Sequence, residues 1–207
     1  YEKRGEQFLL IKAPPASGKS RALMFIVLDK IKNQGIKHAI IVVPERSIGA
    51  SFKDTSLKNS GFFSDWEVNP KWNLCNSPVN DGGKVKAVQK FLNSEDSILI
   101  TTHATFRFTI DAIGISAFDG TLIAIDEFHH SSANPDNKLG NHISKMINRN
   151  KVHIVAMTGS YFRGDAEPIL MPEEEEKFEN VTYTYYEQLN GYQFLKRLDI
   201  GYYFYSG

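Results

Sequence analysis

Two short stretches of the sequence hold residues that could do chemistry together. The first, 13-APPASGKS-20, sets a small-residue turn ahead of Gly18, Lys19 and Ser20. Such a loop can aim successive backbone N–H groups at one anion, while the lysine adds a point charge and the hydroxyl an oxygen ligand for a divalent cation. The chemistry is phosphate holding: Ala16, Ser17, Gly18, Lys19 and Ser20 would surround the β- and γ-phosphates of a nucleotide, with Ser20 on Mg2+. The first position is Ala13 rather than glycine, and Pro14 and Pro15 have no N–H to donate, so the cradle must rest on residues 16–20. The second stretch, 121-TLIAIDEFHH-130, ends an apolar run in two adjacent carboxylates. Asp126 would hold Mg2+ through water, and Glu127 would orient and deprotonate an attacking water. Taken singly, the first stretch also reads as a surface loop that happens to contain GKS, and the second as an acidic strand end with solvated histidines. Taken together they describe one site, with Lys19, Asp126 and Glu127 as its catalytic groups. His129 and His130 give little support to zinc, because one cysteine exists and no spaced Cys/His set accompanies them.

These residues need strands and helices to hold them in place. Five short, nearly continuous apolar runs, 7-QFLLIKA-13, 38-HAIIVVP-44, 97-SILITT-102, 121-TLIAID-126 and 152-VHIVAMT-158, read as strands buried on both faces. Helical patterns lie between them: 23-LMFIVL-28 stopping near Gly35, 84-KVKAVQKFL-92 with Val85, Val88 and Leu92 on one face beside Phe91, and 142-HISKMINR-149 aligning Ile143, Met146 and Ile147. The alternation predicts an α/β fold with a mostly parallel sheet flanked by helices on both faces. In such sheets ligands gather at the carboxyl ends of the strands, where both stretches fall. Residues 52–82 are less regular, and 66-WEVNPKWNLCN-76 predicts a strand or two. A boundary is expected near Asp165, with a compact domain over residues 1–165 and an appendage over 166–207.

The totals exclude several classes. Lys+Arg and Asp+Glu both number 24, so the net charge gives no sign of a polyanion partner and any nucleic-acid contact must come from local patches. With Cys75 alone, no internal disulfide is possible, and together with the lack of a signal peptide this predicts the reducing cytoplasm. No apolar run approaches the roughly 18 residues of a membrane span. The chain opens at Tyr1 without a methionine and is read as a piece of something longer.

The motifs APPASGKS, VVPERS, TTHATF, IDEFH and MTGSYFR follow one another over residues 13 to 163, each at the end of an apolar strand. In that order they resemble the first RecA-like domain of a superfamily 2 helicase of the DExH kind, close to the helicase subunits of restriction enzymes of type III. The resemblance implies a RecA-like P-loop NTPase fold that binds ATP and Mg2+ and hydrolyses ATP to drive movement on nucleic acid, DNA ahead of RNA. It further implies that His129 relays between the ATP site and the nucleic-acid side with Thr158 and Ser160 as coupling partners, and that Arg46 and Thr102 contact the nucleic-acid backbone. A second RecA-like lobe in the longer chain would supply transition-state arginines, and residues 166–207 would lead toward it. The pattern departs at Tyr161, where related proteins often have proline, and the adenine-reading segment of many relatives lies upstream of Tyr1.

Plainer readings stand beside these. 44-PERS-47 could start a helix, with Pro44 or Ser47 in a capping role, Thr101 and Thr102 could cap the next one, and the tyrosines after Val181 read as an edge strand and helix before they read as a base-stacking platform. The acidic run 173-EEEE-176 reads as a solvated helix start after Pro172. Strand separation and duplex translocation, as in a restriction or remodelling subunit, stay open. A non-catalytic nucleotide switch would not need Glu127 or 158-TGS-160, and a small-molecule kinase would need lid arginines that the sequence does not offer.

Overall fold

A computed structural model of the chain describes residues 5–131, 137–159 and 170–191. The five apolar runs form strands β1 (Phe8–Lys12), β2 (Ala39–Val43), β3 (Ile98–Thr102), β4 (Leu122–Ile125) and β5 (His153–Thr158). A sixth, β6 (Glu179–Thr182), joins them in one sheet of order β3-β2-β4-β5-β1-β6. Every pairing is parallel. The chain crosses between strands through helices α1 (Lys19–Gln34), α2 (Arg46–Gly49), α3 (Asp81–Leu92), α4 (His103–Ile113), α5 (Lys138–Arg149) and α6 (Pro172–Glu175), and α7 (Tyr185–Gly191) follows β6.

The continuous apolar runs are explained by a sheet covered on both sides. Alternate strand residues point to opposite faces. Leu10, Ile40, Val42, Leu99, Ile123 and Ile154 pack with Val88 and Phe91 of α3, Phe106 and Ile110 of α4, and Ile143, Met146 and Ile147 of α5. Their neighbours Leu9, Ile41, Val43, Ile100, Ala124 and Val155 pack on the other face against Leu23, Met24, Val27 and Leu28 of α1. On α3 the predicted stripe holds at Val88 and Phe91, while Val85 and Leu92 are only half-buried. α1 ends where the sequence indicates, at Gly35 in a left-handed conformation that a side chain would disfavour.

Residues 52–82 differ from expectation. In place of strands, a short 3₁₀ turn ending at Phe52 is followed by two more, Lys58–Ser60 and Pro70–Trp72, and by two single bridges, Thr55–Trp66 and Asn73–Ile100. The segment is anchored by side chains instead: Trp66 is fully buried and its indole donates to the Phe52 carbonyl at 3.0 Å, and the Trp72 indole donates to Asp96 at 2.7 Å. The acidic run also differs in part. Pro172 opens α6 as expected, but Glu174 is buried and its carboxylate accepts the Met171 N–H at 3.3 Å, while Glu175 pairs with Lys12 at 3.1 Å. β6 comes from the chain beyond the boundary expected near Asp165, and that boundary itself lies outside the described residues. Among the described residues no helix is long and apolar enough to cross a membrane.

Candidate functional site

Because all six strands run the same way, the loops after β1, β2, β3, β4 and β5 emerge at one edge of the sheet. The loop after β1 is tied to the sheet by the Ala13 N–H, which donates to the Thr158 carbonyl at 3.1 Å. It then turns tightly, with Ser17 N–H on the Pro14 carbonyl at 3.3 Å. Ala16 and Gly18 take left-handed conformations, φ 58° and 87°, which turn the chain into the start of α1. No side chain caps that start, so the first N–H groups of α1 face outward as an anion-binding end. The Ser17 hydroxyl is buried without a partner beside it. The Lys19 ammonium folds back on the loop and donates to the carbonyls of Ala13 and Pro14 at 3.3 and 3.2 Å.

β4 delivers the carboxylates. Asp126 continues its ladder through an N–H donated to the Val42 carbonyl at 2.9 Å, and only 5% of the residue is exposed. Burial pushes the Asp126 carboxyl above its usual range, the neighbouring Glu127 charge adds to this, and the Glu127 N–H and Lys19 oppose it. Glu127 is held at φ 49°, a left-handed conformation uncommon for a residue with a side chain. Its carboxylate reaches toward the loop after β1. One oxygen lies 4.0 Å from the Lys19 ammonium, and the other lies 3.3 Å from His129 Nδ1 and accepts the Gly159 N–H at 3.4 Å. His129 Nδ1 is also 3.2 Å from the Thr158 hydroxyl. Lys19, Glu127, His129 and Thr158 therefore form one connected line across the ends of β1, β5 and β4.

Arg46 and Thr102 stand elsewhere on the same edge, on the far side of β4 from the phosphate loop. The exposed Arg46 opens α2, and its guanidinium donates to the carbonyls of Cys75 and Ser77 at 2.7 and 3.4 Å. Thr102 caps α4, its hydroxyl accepting the Thr105 N–H at 3.2 Å. Ser160 and Tyr161 lie outside the described residues.

Three contributors were not singled out from the sequence. His103 Nε2 donates to the Asp126 carbonyl at 2.9 Å and ties the start of α4 to the carboxylate turn. Its place in TTHATF was visible, but its partner is a backbone oxygen 23 residues away, for which no pattern exists. At Gly159 an added Cβ would come within 2.9 Å of the Lys19 ammonium, so the absence of a side chain there leaves the lysine its room. Gln188 of α7 donates its amide to the Pro15 carbonyl at 3.2 Å. Among the described residues, no cluster of three or more His, Cys, Asp or Glu side chains is arranged to hold a metal by itself.

A family model described as DEAD/DEAH box helicase matches residues 3–167. Over all 207 residues the chain is 58% identical to a Bacillus subtilis (strain 168) protein named "Putative ATP-dependent helicase YeeB", and it spans 34% of that protein's length. The fold is similar to that of the Pyrococcus furiosus Hef helicase domain, with a TM-score of 0.55 at 16% identity over 88% of this chain and 36% of that one.

Proposed function

The chain belongs to the DEAD/DEAH box helicase family, and from that membership we propose that it is the ATP-binding lobe of an ATP-driven nucleic-acid motor working in the cytoplasm. The observation that carries this reading is the connected line of Lys19, Glu127, His129 and Thr158, which reaches from a phosphate-shaped loop to the strand ends beyond it.

Residues 16–20 hold the β- and γ-phosphates through backbone N–H groups, and the Lys19 ammonium exchanges the carbonyls of Ala13 and Pro14 for phosphate oxygen. Ser20 and Asp126 suit a hard cation such as Mg2+, since both present oxygen and a positive charge would hold the buried Asp126 carboxyl in its ionised form. Held there, Mg2+ would supply charge neutralisation for the phosphates. Glu127 accepts the proton of a water whose oxygen attacks the terminal phosphorus, and the bond to the ADP oxygen breaks. His129, with Thr158 and Ser160, links the carboxylate to the nucleic-acid side. Arg46 and Thr102 touch the backbone of the bound strand, DNA in preference to RNA, in contacts that fix position without choosing sequence.

Residues 1–165 act as the lobe and residues 166–207 as the connector toward a second RecA-like lobe, whose arginines complete the site. The protein named above, about three times as long as this chain, supports that arrangement. Arginines of this kind contribute about 10³–10⁵ in rate, so the 207-residue chain by itself is expected to bind nucleotide and turn it over slowly. In the full-length protein, Lys19→Ala is expected to abolish nucleotide binding, whereas Glu127→Gln keeps binding and loses hydrolysis by about 10²-fold or more. ATPase assays with single-stranded DNA, duplex DNA and RNA test both the site and the substrate. Wild-type turnover by Glu127→Gln would sink the assignment of the base.

A further inference from the structure

Resting on the reading of residues 16–20 as the phosphate cradle, we propose that Gln188 is a positioning residue for that loop, through which the chain beyond the fifth strand sets the loop's geometry.

The first argument is an inversion along α7. This seven-residue helix buries a single residue, and that residue is polar: Gln188 is 2% exposed, while its neighbours Tyr186 and Leu189 are 77% and 54% exposed. Packing alone would turn the leucine inward and the amide outward. The buried amide instead meets the Pro15 carbonyl at 3.2 Å. A carbonyl can only accept, so Nε2 is the donor and the amide's orientation is fixed.

The second argument concerns how the loop is held. Pro14 and Pro15 have no N–H, so this part of the loop cannot be anchored by donating and must be anchored through its carbonyls. The carbonyls of Ala13 and Pro14 both accept from the Lys19 ammonium. A bound phosphate draws that ammonium away, and the Gln188–Pro15 bond is then an anchor that does not depend on the lysine.

The third is that Gln188 is itself held in place. β6 pairs with β1 up to Lys12–Thr182, and the Tyr183 N–H extends the ladder to the Lys12 carbonyl at 2.8 Å. Thr184 and Glu187 then lock the start of α7 reciprocally: the Thr184 N–H donates to the Glu187 carboxylate at 2.6 Å, and the Glu187 N–H donates to the Thr184 hydroxyl at 3.2 Å. Ladder and cap together bring position 188 against position 15.

The test compares Gln188→Met, which keeps length and bulk but loses the donor, with the wild type and Lys19→Ala in the 207-residue chain. Dissociation constants for ADP and for pyrophosphate are read beside the unliganded thermal midpoint. Loss of one such bond is expected to weaken both ligands about 3- to 10-fold, by the same factor for each, because the loop contacts only their shared phosphates. A lowered midpoint with unchanged dissociation constants would make Gln188 a packing residue and overturn the proposal, leaving the cradle reading intact if Lys19→Ala has lost binding. Failure of the wild type to bind either ligand would overturn both. Should Gln188→Met not fold, Gln188→Glu, which presents an acceptor to the Pro15 carbonyl, carries the same expectation and the same refutation.

Discussion

At the scale of single residues, the site is assembled from groups held against their own preference. Glu127 takes a left-handed backbone conformation and Asp126 is buried beside another carboxylate, and both conditions cost stability in order to place oxygen at the strand ends. Asp126 makes the cost measurable. Its folded carboxyl titrates above the unfolded value of 3.8, so the native state binds protons more readily than the unfolded chain, and stability declines as pH rises through the native titration. Asp126→Asn removes that charge and is expected to raise the thermal midpoint of the ligand-free chain at pH 7 by a few degrees, of the order of 1 kcal/mol. The gain should shrink as pH falls through the wild-type titration, where that carboxyl becomes neutral as well. A gain over the wild type no larger at pH 7 than in acid would contradict this account.

At the scale of elements, what could be read from the sequence depended on whether a signal was local. Buried on both faces, strands β1 to β5 show as unbroken apolar runs; β6, at one edge of the sheet, has no fully buried residue, and Val181 is the single apolar residue of 179-ENVT-182. The turns over residues 52–82 were missed because Trp66 and Trp72 are anchored through indole N–H bonds to distant oxygens, which leave no period in the chain. Lys19, Asp126, Glu127, His129 and Thr158 were all legible, since each ends or follows a strand; the contacts of Arg46 with the 75–77 turn were not, because the path of that turn is set by tertiary packing. Thr102 shows how an element's need and a proposed ligand contact can share one side chain. As the N-cap of α4 it is expected to cost about 1 kcal/mol on substitution by alanine, seen as a lower urea midpoint. Thr102→Ser keeps the cap and should restore stability, so any remaining loss of nucleic-acid affinity in the serine variant belongs to the missing methyl and its contacts.

At the scale of the whole molecule, one buried cation joins α1, β5 and the segment before β1 at the end of the sheet opposite the site. Lys30 of α1 is fully buried, donating to the Glu6 carbonyl at 2.8 Å and to the Gln34 amide oxygen at 3.3 Å, with His153 Nδ1 of β5 also at 3.3 Å. Burial lowers its ammonium from 10.5 to about 8, against the opposing charges of Asp29 and Glu6, and burial together with Lys30 lowers His153 as well. A depressed amine means that the unfolded chain binds more protons between those values, so stability rises with pH from about 8 to about 10, by roughly 1–3 kcal/mol. Urea titrations across that range are expected to show the rise in the wild type and a nearly flat profile in Lys30→Met. The same strand order carries a consequence for how the protein comes into being. Of the six strands, β1 is the first made, yet its two neighbours in the sheet, β5 and β6, are the last: Phe8 lies opposite Ile154 and Lys12 opposite Thr182. During synthesis the loop sequence therefore leaves the ribosome long before its walls, and such distant parallel pairing is slow to close. Nascent chains shorter than Thr182 carry the 13–20 loop with one flank of β1 still unpaired, so the strand ahead of that loop completes its pairing only once residue 182 is out.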